Sequence, residues 1–237
     1  MALPRPALPI DHASLPVTAL HVKSFHDACL ALPSWPKMAV DFAEVDVWRW
    51  VATNHRNNCL LWDEEDLARR TRATDADITS NKRAIDGYNQ ARNDATERVD
   101  EFLLLSLGLI DASTAGSDQP VAKVSTTARL NSETAGSIMD RMSIMSLKIK
   151  AMTAQTVRTD VEAAHRDSSA GKLQRLHEQR NDLGACLDQL LADSRAGLAY
   201  FKVYRQFKMY NDPRFNPVLV AELAAAKAQK QARSEQQ

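Results

Sequence analysis

Two stretches of this chain carry an arginine on an otherwise largely apolar helical seam, and nothing else in the sequence restricts the fold as much. Ile78, Asn81, Ile85, Tyr88, Arg92, Ala95, Val99 and Phe102 follow one another at three- and four-residue spacing, as do Leu173, Leu176, Arg180, Leu183, Leu187 and Leu190. That spacing belongs to a helix packed along one face. A guanidinium on such a seam is costly unless polar groups from neighbouring helices meet it. The sequence therefore predicts helices enclosing a polar pocket or network.

Strand signals are almost missing. Apolar and polar residues never alternate strictly over a strand length, and seven glycines are few for a fold of many tight turns. The expected fold is all-α: an elongated antiparallel bundle of four long helices with shorter flanking ones. A short helix is expected over 20–31, punctuated by Pro33 and Pro36, followed by long helices over 37–72 and 76–107 that turn at Thr74 and Asp75. These two make a hairpin with arms of about 45–50 Å. Two more long helices are expected over 132–158 and 161–195, the latter open to interruption at Asp167 to Gly171. A further helix over 197–210 should stop at Asn211, Asp212 and Pro213. In domain terms this is a Pro-rich arm over 1–19, one bundle over 20–217 with a polar loop at 108–128, and a polar tail over 218–237. The string Arg92, Asn93, Asp94 with Asp100 returns as Arg180, Asn181, Asp182 with Asp188. Two related hairpins would explain this, and coincidence explains it equally well.

Composition removes several functions. Lysine plus arginine and aspartate plus glutamate both number 30, so no global basic field recommends nucleic acid as a partner. No run of about 18 apolar residues suggests a membrane span. The proline-rich start does not read as a secretory signal, and Cys29, Cys59 and Cys186 share no short-spaced pair, which together point to a reducing, cytoplasmic setting.

Facing residues in a hairpin turning near position 74 have numbers adding to about 148, because both arms rise equally from the turn. His55 and Asn58 then fall opposite Asn89 and Arg92, Glu65 and Asp66 opposite Lys82 and Arg83, and Trp62 near Asp86. Such a ladder can be purely structural, fixing register and orientation. It can equally line a cleft for a polar small molecule, anionic or sugar-bearing. Arginine supplies a planar fork for a carboxylate or phosphate, tryptophan an apolar platform, and histidine or glutamate a route for protons. In the second hairpin, Arg180 would look toward Ser143, near Asp140 and Arg141.

Competing sites are weaker. Asp63 and Asp66 with Glu97 and Asp100 resemble the paired acidic motifs of all-α nucleotide pyrophosphohydrolases, yet the facing rule separates the two pairs by about 22 Å along the hairpin. His21 and His26 lie about 140° apart around a helix, so they face different ways. The methionines of the third long helix read as core first and as a partner-binding face second. Tyr204, Arg205, Lys208, Tyr210 and Arg214 read as a helix end, with phosphate or acidic-glycan contact as the alternative.

The strings from His55 through Asn58, Leu61, Trp62, Glu65, Asp66 and Arg69, and from Lys82 and Arg83 through Asp86, Asn89, Gln90, Arg92, Asn93 and Asp94, resemble the bacterial DUF4254 family. The likeness continues through Ser132, Glu133, Gly136, Asp140, Arg141, Ser143, Ile144, Leu147 and Lys148, and again through Lys208 to Pro213. This resemblance implies a link to cell-surface polysaccharide or lipopolysaccharide genes, and it carries no established catalytic residues. Two classes of function are then in view. One is an enzyme acting on a nucleotide-sugar or glycan precursor, with His55 or Glu65 carrying protons, Arg92 and Lys82 holding the anion, and Asp86 and Asp94 orienting them. The other is a non-catalytic accessory or scaffold protein that holds a glycosyltransferase or another glycan-biosynthesis partner.

Overall fold

The computed structural model describes residues 16–38, 46–206 and 214–234. They fall in two compact units, one ending at Tyr204 and one beginning at Arg205. The protein is all-α.

In the first unit, α1 (Ala19–Ala31) starts at Thr18, whose hydroxyl accepts from the His21 amide. Helix α2 (Val47–Ala68) starts at Asp46, whose carboxylate accepts from the Arg49 amide. A side-chain oxygen in this position satisfies one of the free N–H groups of a first turn. Helix α3 (Asp75–Ser106) opens with a reciprocal box, Thr74 capping Asp77 and Asp77 returning a bond to the Thr74 amide. Helices α4 (Ala135–Thr156) and α5 (Ala163–Arg195) form a second pair. The expected bounds of α3, α4 and α5 are met within a few residues, and α5 runs unbroken through Asp167 to Gly171.

Two expectations need correction. The helix expected from Lys37 begins at Val47, because the extended backbone of Asp46 interrupts any earlier run; Lys37 and Met38 lie in a turn, and 39–45 lie outside the described residues. The helix expected over 197–210 does not form in its described part, 197–206. Gly197 ends α5 with φ +70, a conformation that suits glycine, and the chain then extends. Ala199–Tyr200 (β2) pairs in parallel with Arg129–Leu130 (β1), the Arg129 amide donating to Leu198 O and the Asn131 amide to Tyr200 O. Ala199, Phe201 and Val203 are buried while Lys202 and Tyr204 are exposed, the two-residue period of an extended chain on a core. Residues 207–213, including Lys208 and Tyr210, lie outside the described residues.

The stretch expected as a polar loop is tied down at its base. Leu109, Ile110 and Ala115 are buried, Ile110 bridges to Ala122, and Lys123 pairs with Asp111 at 3.0 Å.

Helix α4 occupies the centre. It packs against α1, α2, α3 and α5, and it buries Ile138, Met139, Met142, Leu147 and Ile149 on more than one side, as its sequence suggests. Its approach to α3 is close: a Cβ on Gly136 would lie 2.6 Å from the Thr96 carbonyl oxygen. Just there Asp100, wholly buried, accepts from the Gly136 amide at 2.6 Å. The core around α4 is filled by Phe25, Trp48, Leu104, Leu187, Leu191 and Phe201.

In the second unit, the segment read as a polar tail carries α6 (Pro217–Ser234), with Asn216 accepting from the Val218 amide at its start.

Candidate functional site

The hairpin rule holds where side chains of the two arms bond directly. Asn54 donates to Thr96 Oγ1 at 3.1 Å and Asn81 to Glu64 Oε2 at 2.6 Å, both joining positions whose numbers add to about 148. What the rule leaves out is α4, whose polar side chains enter between the two arms.

Asp140 of α4 lies at the centre of the resulting network. Its Oδ1 accepts from Asn54 Nδ2 at 2.8 Å and from Asn58 Nδ2 at 2.9 Å. Asn58 also reaches Ser143 Oγ at 3.0 Å, and Ser143 meets His55 Nδ1 at 2.8 Å. Thr96 links the network to α3, its hydroxyl donating to the Arg92 carbonyl at 3.1 Å. Asn54, Asn58 and Ser143 are buried, so these bonds replace water that the groups gave up on folding.

Above this network opens a cleft of about 360 Å³. Trp62, Glu65, Asp66 and Arg69 of α2 line one side, Asn89 and Arg92 of α3 the other, and Ile144 and Leu147 of α4 the floor beside Asn58. Arg92 is the group of interest. Its side chain is 25% exposed, and its Nε is enclosed without a hydrogen-bond partner. Asp140 Oδ1 stands 3.9 Å from that nitrogen, close enough to attract and too far to bond. One terminal nitrogen donates to the neighbouring Asn93 at 3.2 Å. The guanidinium thus reaches an open cleft with much of its donor capacity unspent.

Other expected site residues lie elsewhere. His55 is sealed in a dry cluster, stacked between His26 at 4.4 Å and Trp35 at 5.6 Å, with Cys59 Sγ 3.9 Å from its Nε2. Burial pushes its imidazole down to about 3, against a weaker opposing effect of the hydrogen bond it donates to the His26 backbone. Burial likewise holds His26 well below 6.5, with the charges of His55 and Arg180 acting in the same direction. Both rings are neutral at pH 7. His55 therefore does not carry protons for a molecule in the cleft, a correction to its expected role. Glu65 does line the cleft, held by Arg69 at 3.0 Å.

Lys82 and Asp86 are 67% and 62% exposed and pair with each other at 2.6 Å across one turn, on the solvent side of α3. Arg83 is exposed as well, and none of the three lines the cleft. Glu65 is near enough to Lys82 for its charge to act on that ammonium, as the facing rule expects, although Lys82 bonds Asp86; Glu65 and Asp66 also share the cleft with Asn89 and Arg92. Asp94 accepts from Gln90 at 2.7 Å, and Arg141 turns outward to Glu133. Arg180 belongs to a separate place: 6% exposed, it donates from Nη1 to Asp27 at 2.6 Å and to Ser146 at 3.0 Å.

A model of the family described as protein of unknown function DUF4254 matches residues 48–203. The chain belongs to that family. No curated protein and no solved structure is detectably similar to it. The matched stretch runs from the start of α2 past β2 and so contains every residue lining the DUF4254 cleft, whereas Asp27 and His26 precede it. Among the described residues no helix is long and apolar enough to cross a membrane, and no group of three or more histidine, cysteine or acidic side chains is placed to hold a metal ion.

Asn54, Thr96 and Ser146 escape notice in the sequence, since an isolated small polar residue on a helix carries no pattern. Asp66 and Arg69, named in the string that resembles the family, reach the cleft with Trp62 and Glu65.

Proposed function

We propose that the cleft between α2, α3 and α4 binds a small sugar-bearing anion, in the metabolism of bacterial cell-surface glycans. The observation that carries this reading is Arg92, whose guanidinium lines the open cleft and, among the described residues, makes one side-chain hydrogen bond, to the neighbouring Asn93. A charged fork with free terminal N–H groups suits a phosphate or carboxylate, which accepts two such bonds at once.

The rest of the lining suits the remainder of such a molecule. The indole of Trp62 offers an apolar face to a sugar ring. Asn58 and Asn89 supply amides, and Glu65 and Asp66 accept from hydroxyls. At about 360 Å³ the cleft is within the range of small-molecule sites. If chemistry follows binding, Glu65 is the remaining proton carrier of the two expected.

One observation favours the accessory reading. The network from His55 through Ser143 and Asn58 to Asp140 is sealed and bonded, as an interior ladder that only fixes register would be.

Thermal unfolding with nucleotide sugars and sugar phosphates separates the two. The binding reading expects the native chain to melt several degrees higher with one of them and Arg92→Ala to show no shift. A panel that shifts neither protein would leave the cleft as architecture and make the protein an accessory.

A further inference from the structure

A second groove lies between α4 and α5, with Trp62 of α2 closing one side. Its volume is about 440 Å³. The floor is apolar, formed by Ala151 and Met152 of α4, Leu176 of α5 and the indole. Around it stand Lys148, Lys172 and Arg175, with the amides of Gln155 and Gln179 between them, and no carboxylate lines it.

The electrostatics are unlike those of the rest of the protein. Formal charge cancels over the whole chain, and the first cleft sets Glu65 and Asp66 against Arg69 and Arg92. Here three cations stand together, and among the described residues none of them has an ion pair or hydrogen-bond partner. Lys172 and Arg175 are one turn apart on α5, where like charges are destabilising by a few tenths of a kcal/mol. The nearest acid along that face, Glu178, is engaged by Gln174 at 3.2 Å. A helix gains nothing in stability from this placement.

We infer that the groove binds a single-chain anionic amphiphile: its apolar chain lies on Met152, Leu176 and Trp62, and its phosphate or carboxylate head lies among Lys148, Lys172 and Arg175. The dimensions favour a small molecule over a protein. Stable protein interfaces engage about 20–30 residues a side, whereas this lining is about a third of that. Lysine and arginine stems also extend apolar cover toward the chain while their heads stay at the rim.

The test is titration calorimetry on the full chain with dodecyl phosphate, kept below its micelle concentration. Saturable binding to the native protein is expected, at least ten-fold weaker in Lys172→Ala/Arg175→Ala and unchanged in Arg92→Ala. Both substituted side chains are exposed, so the double variant should melt with the native protein. Dodecanol and inorganic phosphate, each supplying half of the ligand, should bind far more weakly. Equal affinity of the double variant, or of inorganic phosphate, would overturn the proposal. So would heat that appears only at micelle-forming concentrations, binding to anionic vesicles in the absence of monomer binding, or tighter binding of an acidic amphipathic peptide. Binding weakened as much by Arg92→Ala as by the double variant would place the amphiphile in the first cleft and likewise overturn the proposal.

Discussion

Arg92 and Arg180 occupy matching places in matching sequence strings, and the protein uses them in opposite ways. Arg180 is closed in by α1, α4 and α5 and spends Nη1 twice, on Asp27 and on Ser146. The Arg92 side chain lines the cleft, has Asp140 at 3.9 Å and, among the described residues, hydrogen-bonds only its chain neighbour Asn93. Each leaves Nε unmatched. The difference comes from what a third helix brings. Helix α1 delivers a carboxylate to the second hairpin, and nothing equivalent is delivered to the first, where Asn54 and Asn58 have already taken the carboxylate that α4 provides. An arginine on a helical seam is therefore a question put to its neighbours, and its role depends on which of them answers.

The largest effect should come from Arg180. Replacement by alanine removes a buried cation, opens a void and takes from Asp27 and Ser146 the donor they share, which is expected to lower stability by about 2–4 kcal/mol in urea unfolding. Methionine, similar in volume, should recover more than half of this loss. A loss no larger than that of Arg92→Ala would break the contrast.

Proton linkage is the next largest effect. His26 and His55 are neutral when folded and regain charge on unfolding below about pH 6.5, so each takes up a proton, and the stability they permit is full above that pH and lost as pH falls. Asp100 works in the other direction. Burial lifts its carboxyl to about 7, so below that pH it holds a proton that the unfolded chain releases down to about 4, and its contribution is lost as pH rises. Between roughly pH 4 and 6.5 these three groups give a net uptake of about one proton on unfolding. Asp100→Asn should raise the uptake to about two and steepen the fall of the urea midpoint toward acid. A shallower slope in that variant would contradict the assignment.

Arg92→Ala should cost under about 1 kcal/mol, because a partly exposed cation without a close partner contributes little to folding. Its expected phenotype is loss of ligand response. The smallest change belongs to Lys82→Ala and Arg83→Ala, each expected to unfold at the same urea midpoint as the native protein and to leave any cleft ligand unaffected.

Much of this fold is legible from periodicity and caps. The turn at Thr74 and Asp75 marks the start of α3, and the three-four seams place α3 and α5, because those signals are local. The hairpin rule brings Asn58, Trp62, Glu65, Asn89 and Arg92 to one cleft for the same reason. It fails at His55. Helix α2 has neighbours on two sides, and a rule that considers only its hairpin partner assigns to the cleft a residue that turns toward Ser143, 88 positions away. The partner of Arg180 is 153 positions away, and nothing near Asp27 announces it. The alternation at Ala199, Phe201 and Val203 is visible but too short to outweigh the helical context before it.

Trp62 belongs to both grooves at once. A side chain that forms a shared wall has one set of torsion angles to satisfy two occupants, so a guest that fixes the indole on one side alters the shape offered on the other. Thermodynamic reciprocity then requires the influence to run equally in both directions. Two recognition events that touch no common atom of ligand would still be read out together, through the swing of a single ring.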